Sequence, residues 1–145
     1  MITYVPLYVK RHLTMKEKLI QAEMNSYGYT FGYIKKTSRF VVAHAKWTTP
    51  QNHILIAMTS KVLVGDTVRR GVFILQPEID RMKKIGHRFS ISNIMVHELA
   101  HVILLEDKIY TLPFGDVHDI KFCEVYSDLC HKYNIRYPTK NYYLD

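Results

Sequence analysis

Within the apolar run Ile91-Ser92-Asn93-Ile94-Met95-Val96-His97-Glu98-Leu99-Ala100-His101-Val102-Ile103-Leu104-Leu105, two histidines stand four positions apart with a glutamate beside the first. On an α-helix, residues four apart share a face, with Cβ atoms roughly 5–6 Å from each other, so the imidazoles of His97 and His101 can converge on one metal ion. Neutral imidazoles suit Zn2+, which lowers the pKa of bound water toward about 7, and the adjacent Glu98 carboxylate can take the proton as that water attacks a carbonyl. The chemistry implied is metal-assisted hydrolysis of an amide. Eight histidines in a short chain raise the chance of an accidental match, so the surroundings carry weight. Ser90, with Asn93 three residues on, Phe89 before it and Ile94 after it, has the pattern of an N-cap with a hydrophobic staple. The helix then starts two turns ahead of the histidines. A glutamate and two histidines amid Val, Leu, Ala and Ile are costly to bury alone, and a metal compensates them.

The elements that must position this helix follow from pattern. A chain of 145 residues, 48% hydrophobic, is expected to form one domain over residues 1–145 with a core of its own. Residues 2–9 alternate poorly and contain Pro6, which suits an arm or edge strand. Thr14 opens a helix, with Glu17 completing a capping box and Leu19, Ile20, Met24 and Tyr27 on its apolar side. The β-branched and aromatic composition that follows predicts strands over 29–34, 39–47 and 53–58, joined as antiparallel hairpins. Gly65-Asp66 is a turn signal, followed by a strand over 72–75 that Pro77 stops and a short helix over 78–84.

Beyond the motif helix, residues 106–115 read as a loop, and Asp116 N-caps a helix running to about Tyr133. Its inward stripe is Phe122, Val125, Leu129 and Tyr133. His118 lies one turn before Phe122 on that side, in a first turn where the positive helix end favours the neutral imidazole a metal requires. It is the candidate third ligand. Tyr126 and His131, on the same helix, are candidates for an oxyanion donor. His12, His44, His53 and His87 have no partner at ligand spacing and receive no role.

Cys123 and Cys130 fall two helical turns apart, about 10 Å along the axis, too far for a bridge, and are expected to be buried thiols. With no signal-peptide pattern at the N-terminus and no apolar run near the roughly 18 residues of a membrane span, the expectation is a cytoplasmic protein in a reducing compartment, or one carried within a viral particle. The net charge of +7 is uneven: 15 of the 20 Lys/Arg precede His97. Lys10-Arg11, Lys35-Lys36 with Arg39, Arg69-Arg70 and the group Arg81, Lys83, Lys84 and Arg88 form a basic half able to meet nucleic acid, although no recognisable reading module accompanies the charge. The other partner expected is a protein or peptide substrate, and no membrane.

On His97-Glu98-Leu99-Ala100-His101 and His118-Asp119-Ile120-Lys121-Phe122 the sequence resembles the SprT-like and WLM-type zinc metallopeptidases, with Gly71-Val72-Phe73-Ile74-Leu75-Gln76-Pro77 similar to the strand that precedes their metal-binding helix. The resemblance implies zinc on His97, His101 and His118, with Glu98 as general base. Among such proteins are members that cleave proteins crosslinked to DNA, a substrate the basic half would suit. Val117 stands where a small residue often precedes the third histidine, and the paired-cysteine ribbon of bacterial members is missing. The expected fold is α+β and zincin-like: an N-terminal helix, a small largely antiparallel sheet, the metal-binding helix and a C-terminal helix closing the site. The strand over 72–75 is expected at a sheet edge, where a substrate backbone can pair with it. The ImmA/IrrE-type peptidases, gluzincin-like, share the motif and would instead use Glu124, which helical phase sets away from the Phe122/Leu129 stripe. A reading from another class is a noncatalytic, zinc-stabilised structural or binding subunit of a larger assembly, viral or cellular.

Overall fold

Caps and turns set the path of the chain in the computed structural model, which describes residues 12–34, 56–86, 88, 90–106 and 120–137. Thr14 Oγ1 accepts from the Glu17 amide at 3.1 Å, and Glu17 Oε1 accepts from the Thr14 amide at 3.4 Å. This reciprocal pair satisfies two orphan donors and starts α1 (Met15–Ser26). Ile20 and Met24 of α1 are fully buried, with Glu17 one turn before them. Leu19, expected on the same side, is 56% exposed. One residue rotates the helix by about 100°, which carries Leu19 off the face defined by positions 17, 20 and 24.

Among the described residues three strands follow: β1 (Thr30–Ile34), β2 (Ala57–Val64) and β3 (Thr67–Leu75). Val64 pairs with Thr67, leaving Gly65-Asp66 as a two-residue hairpin loop. Gly65 has φ +62°, the left-handed first position that a type II′ turn reserves for glycine. From that turn the antiparallel ladder runs back to Ala57 opposite Ile74, so β2 begins later than the expected 53–58 and extends to the turn. β1 pairs with β3 in parallel, from Thr30 opposite Gly71 to Ile34 opposite Leu75.

The sheet order is β1-β3-β2. This corrects two expectations. The sheet is mixed rather than largely antiparallel, because β1 and β3 run the same way and only β2 and β3 form a hairpin. The 72–75 segment is central rather than at an edge; Val72, Phe73, Ile74 and Leu75 are all buried, and an unbroken apolar run is what a strand covered on both faces requires. Pro77 does not merely stop β3. It sits in the first turn of α2 (Gln76–Lys84), where its missing N–H costs nothing. The expected strand over 39–47 and the arm over 2–9 lie outside the described residues.

Ser90 caps α3 (Ile91–Leu105), its Oγ accepting from the Asn93 amide at 3.3 Å. The staple residue Phe89 lies outside the described residues. Every residue from Asn93 to Val102 is buried. A helix buried all round must have neighbours on all sides. Here α1, β2 and α4 (Ile120–Lys132) supply them. Phe122, Tyr126, Leu129 and Cys130 form the buried stripe of α4, at the offsets of a core-facing helix. Together the described residues make a small α+β structure with four helices and a three-stranded mixed sheet. Among them no helix is long and apolar enough to cross a membrane.

Candidate metal centre

His97, Glu98 and His101 meet in the middle of α3, and their potential ligand atoms all lie within 4.8 Å of one another. His97 and Glu98 are each 1% exposed and His101 is 5% exposed. The two imidazole centroids are 5.1 Å apart, the separation that one helical turn imposes on residues i and i+4. His97 Nε2 lies 3.8 Å from Glu98 Oε2.

The two imidazoles are held by rings of α4 and the carboxylate by the sheet. The ring of Phe122 stacks on His101, with centroids 4.4 Å apart and planes inclined by 29°. The same ring meets His97 edge-on at 5.0 Å, and Tyr126, one turn further along α4, meets His97 at 5.1 Å and 85°. These two aromatic rings form a wall that limits how far either imidazole can turn. The Tyr126 hydroxyl donates to Asn93 Oδ1, and Asn93 Nδ2 donates to the carbonyl of Arg136 at 3.0 Å. Asn93 therefore ties the first turn of α3 to α4 and to the chain beyond it. Glu98 faces the sheet instead. Thr59 Oγ1 on β2 lies 3.0 Å from Glu98 Oε1 and 3.2 Å from the Glu98 carbonyl.

A buried carboxylate and two buried imidazoles form a donor set that fits a divalent transition metal: nitrogen and oxygen donors converge on one point, and the charge of an ion offsets their burial. The buried His97-Glu98-His101 group is thus able to hold a metal ion. His118, the candidate third ligand, lies outside the described residues. Glu124, the gluzincin-type alternative, is exposed on α4 and does not join the cluster.

Three expectations about α4 are revised. Tyr126 does approach the histidines, but its hydroxyl is directed to Asn93, so the ring serves as a wall. His131 is exposed in the last turn, away from the histidine pair's buried cluster. Cys130 is buried, and burial pushes its thiol up to about 11, whereas Cys123 is exposed and so corrects the expectation of two buried thiols. His12 is also exposed.

Thr59, Asn93 as a bridge to Tyr126, and Lys61 were not among the candidates. Lys61, also on β2 and only 3% exposed, donates from Nζ to the Leu105 carbonyl at 3.1 Å and the Glu106 carbonyl at 2.6 Å. Their roles depend on contacts across 33 to 45 residues of sequence, which no local spacing announces. The chain matches no family model, no curated protein and no solved structure.

Proposed function

We propose that the protein is a zinc-dependent peptidase of the SprT-like kind, with His97 and His101 as ligands, His118 as the third ligand and Glu98 as general base. The observation that supports this reading most directly is the convergence of two imidazoles and one carboxylate within 4.8 Å on a wholly buried stretch of helix. Zinc bound there would supply electrophilic polarisation of the scissile carbonyl and acidification of water. The chain's own work is done by Glu98: its carboxylate takes a proton from the attacking water and later delivers it to the departing amine nitrogen. Phe122 and Tyr126 keep the imidazoles oriented and keep bulk water from their faces.

The substrate backbone needs a place to lie. In the described sheet β3 is enclosed by β1 and β2, so pairing at the 72–75 segment is withdrawn. β2 is the strand that stands both at the end of the sheet order and next to Glu98, through Thr59, and it is the strand along which an extended peptide would approach the base. The exposed cations Lys83 and Lys84 at the end of α2, with Arg88 beyond it, fit a role in holding DNA to which the substrate protein is attached, while Arg81 is paired with Glu78.

The burial of all three donors also favours a second reading, a closed structural zinc site with Glu98 as a ligand, since structural sites are closed and catalytic ones keep a position open. One experiment separates the two. Purified protein is loaded with zinc, its metal content measured, and its cleavage of an unstructured protein followed for the parent and for Glu98→Gln. The peptidase reading requires cleavage by the parent, none by Glu98→Gln, and equal zinc in both. Zinc lost from Glu98→Gln, in a parent that cleaves nothing, establishes the structural reading instead.

A further inference from the structure

The strand beside the candidate site does more than cover it. Thr59 and Lys61 are two residues apart on β2, so their side chains emerge on the same face of the strand. That face is turned to α3. Thr59 meets the helix at Glu98, and Lys61 meets it at the carbonyls of Leu105 and Glu106, two turns further on. Two attachment points separated along the axis fix both the axial position and the rotation of the helix against the strand.

Thr59 Oγ1 has unusual neighbours, because both oxygens within its reach belong to one residue: Glu98 Oε1 at 3.0 Å and the Glu98 carbonyl at 3.2 Å. A hydroxyl has one proton to give, and a carboxylate is the stronger acceptor. The proton goes to Oε1, while the hydroxyl oxygen remains lodged against the main chain of the same residue. The carboxylate is thereby tied back toward its own backbone. Thr59 is itself buried, at 6% exposure, so this bond is made out of bulk water.

We infer that Thr59 is the positioning residue for Glu98, holding one carboxylate oxygen so that the other is presented to the metal-side water, with Lys61 fixing the helix that carries it. The inference rests on the peptidase reading above. It makes β2 a part of the catalytic apparatus through its side chains, in addition to any main-chain pairing with substrate.

The test uses the zinc-loaded full chain with Thr59→Val, which keeps the shape and removes the hydroxyl, and Thr59→Ser, which restores the hydroxyl without the methyl. Cleavage of an unstructured protein gives kcat and KM, competition with a chromophoric chelator gives zinc affinity, and thermal unfolding confirms that each variant is folded. Loss of an orienting partner costs about 10–100-fold, so Thr59→Val is expected to lower kcat by about that factor, with KM and zinc affinity within about threefold of the parent. Thr59→Ser is expected to recover most of the lost kcat. The positioning role is overturned if Thr59→Val retains kcat within about twofold of an active parent, or if zinc affinity and kcat fall together and serine rescues neither. A zinc-loaded parent that cleaves nothing overturns the peptidase reading itself, and the catalytic meaning of Thr59 falls with it.

Discussion

Replacing Lys61 by methionine removes an ammonium from a position that is 3% exposed while keeping the unbranched stem that packs beneath α3. The Lys61 Nζ hydrogen bonds, at 3.1 Å and 2.6 Å, go to Leu105 and Glu106, carbonyls at the end of the helix where no intrahelical donor remains. Hydrogen bonds to a charged group are worth about 1.5–3 kcal/mol each, giving a gross loss of roughly 3–6 kcal/mol. Two effects reduce it. Methionine spares the fold the desolvation of a buried cation, and the Glu106 carbonyl lies in a partly exposed residue where water can replace the lost donor. A net loss of about 2–3 kcal/mol remains, chiefly from the charged donor taken from the Leu105 carbonyl. The Arg70–Glu106 pair at 4.0 Å cannot compensate, since it is long and partly exposed on both sides. For a chain of this size, about 2–4 °C per kcal/mol converts the loss to a fall in Tm of roughly 4–12 °C. Urea unfolding followed by circular dichroism, with the slope compared between parent and variant, measures it. A Lys61→Met protein within about 0.5 kcal/mol of the parent would refute the claim that this lysine anchors α3.

Cys130 gives a pH dependence. Its thiol ordinarily titrates near 9.0 and is held up to about 11 by burial, so the folded chain keeps a proton that the unfolded chain releases in between. Stability must then fall as pH rises from about 9 toward about 11, and burial of Tyr29 and Tyr133, which raises both phenols, adds to the decline at the alkaline end. Urea midpoints across that range for the parent and Cys130→Ala should converge as pH rises; parallel curves would remove the thiol as a cause. The basic end of α2 supplies a binding test: if it contacts DNA, exchanging Lys83, Lys84 and Arg88 together for alanine should reduce the slope of log affinity against log salt by up to about 2–3, with zinc content unchanged. An unchanged slope would take these cations out of any such interface.

The parts of the fold that were legible are those written in local chemistry. Thr14 with Glu17, Ser90 with Asn93, and Gly65-Asp66 each satisfy or bend the backbone within four residues, and each stands where its pattern places it. The His97–His101 separation is equally local, because helical pitch alone sets it. Sheet order is another matter. Val72, Phe73, Ile74 and Leu75 announce a buried strand without saying which strands flank it, and the parallel pairing with β1 joins residues 41 positions apart, from Thr30 to Gly71. The two cysteines differ for a similar reason: a 7-residue separation on a helix predicts nearly the same face, but Cys123 is exposed and Cys130 buried, a difference set by what packs against each turn. His118 and the strand over 39–47 fall outside the described residues.

The helix that carries the candidate site divides its obligations by rotation. Asn93, His97 and His101 succeed one another at intervals of four and share one face; all three are tied to α4, through the Tyr126 hydroxyl and the rings of Phe122 and Tyr126. Glu98 is about 100° away, and its face meets β2 through Thr59. The two imidazoles and the carboxylate are therefore neighbours in sequence but are oriented by different walls, one helical and aromatic, the other a strand with a single hydroxyl. Such a separation means that the aromatic wall bears on the two imidazoles while the strand bears on the carboxylate independently. It also accounts for why the helix is buried all round despite its polar residues. Each polar side chain faces a wall suited to it, and a helix exposed on either side would leave the imidazoles or the carboxylate without the neighbour that orients it.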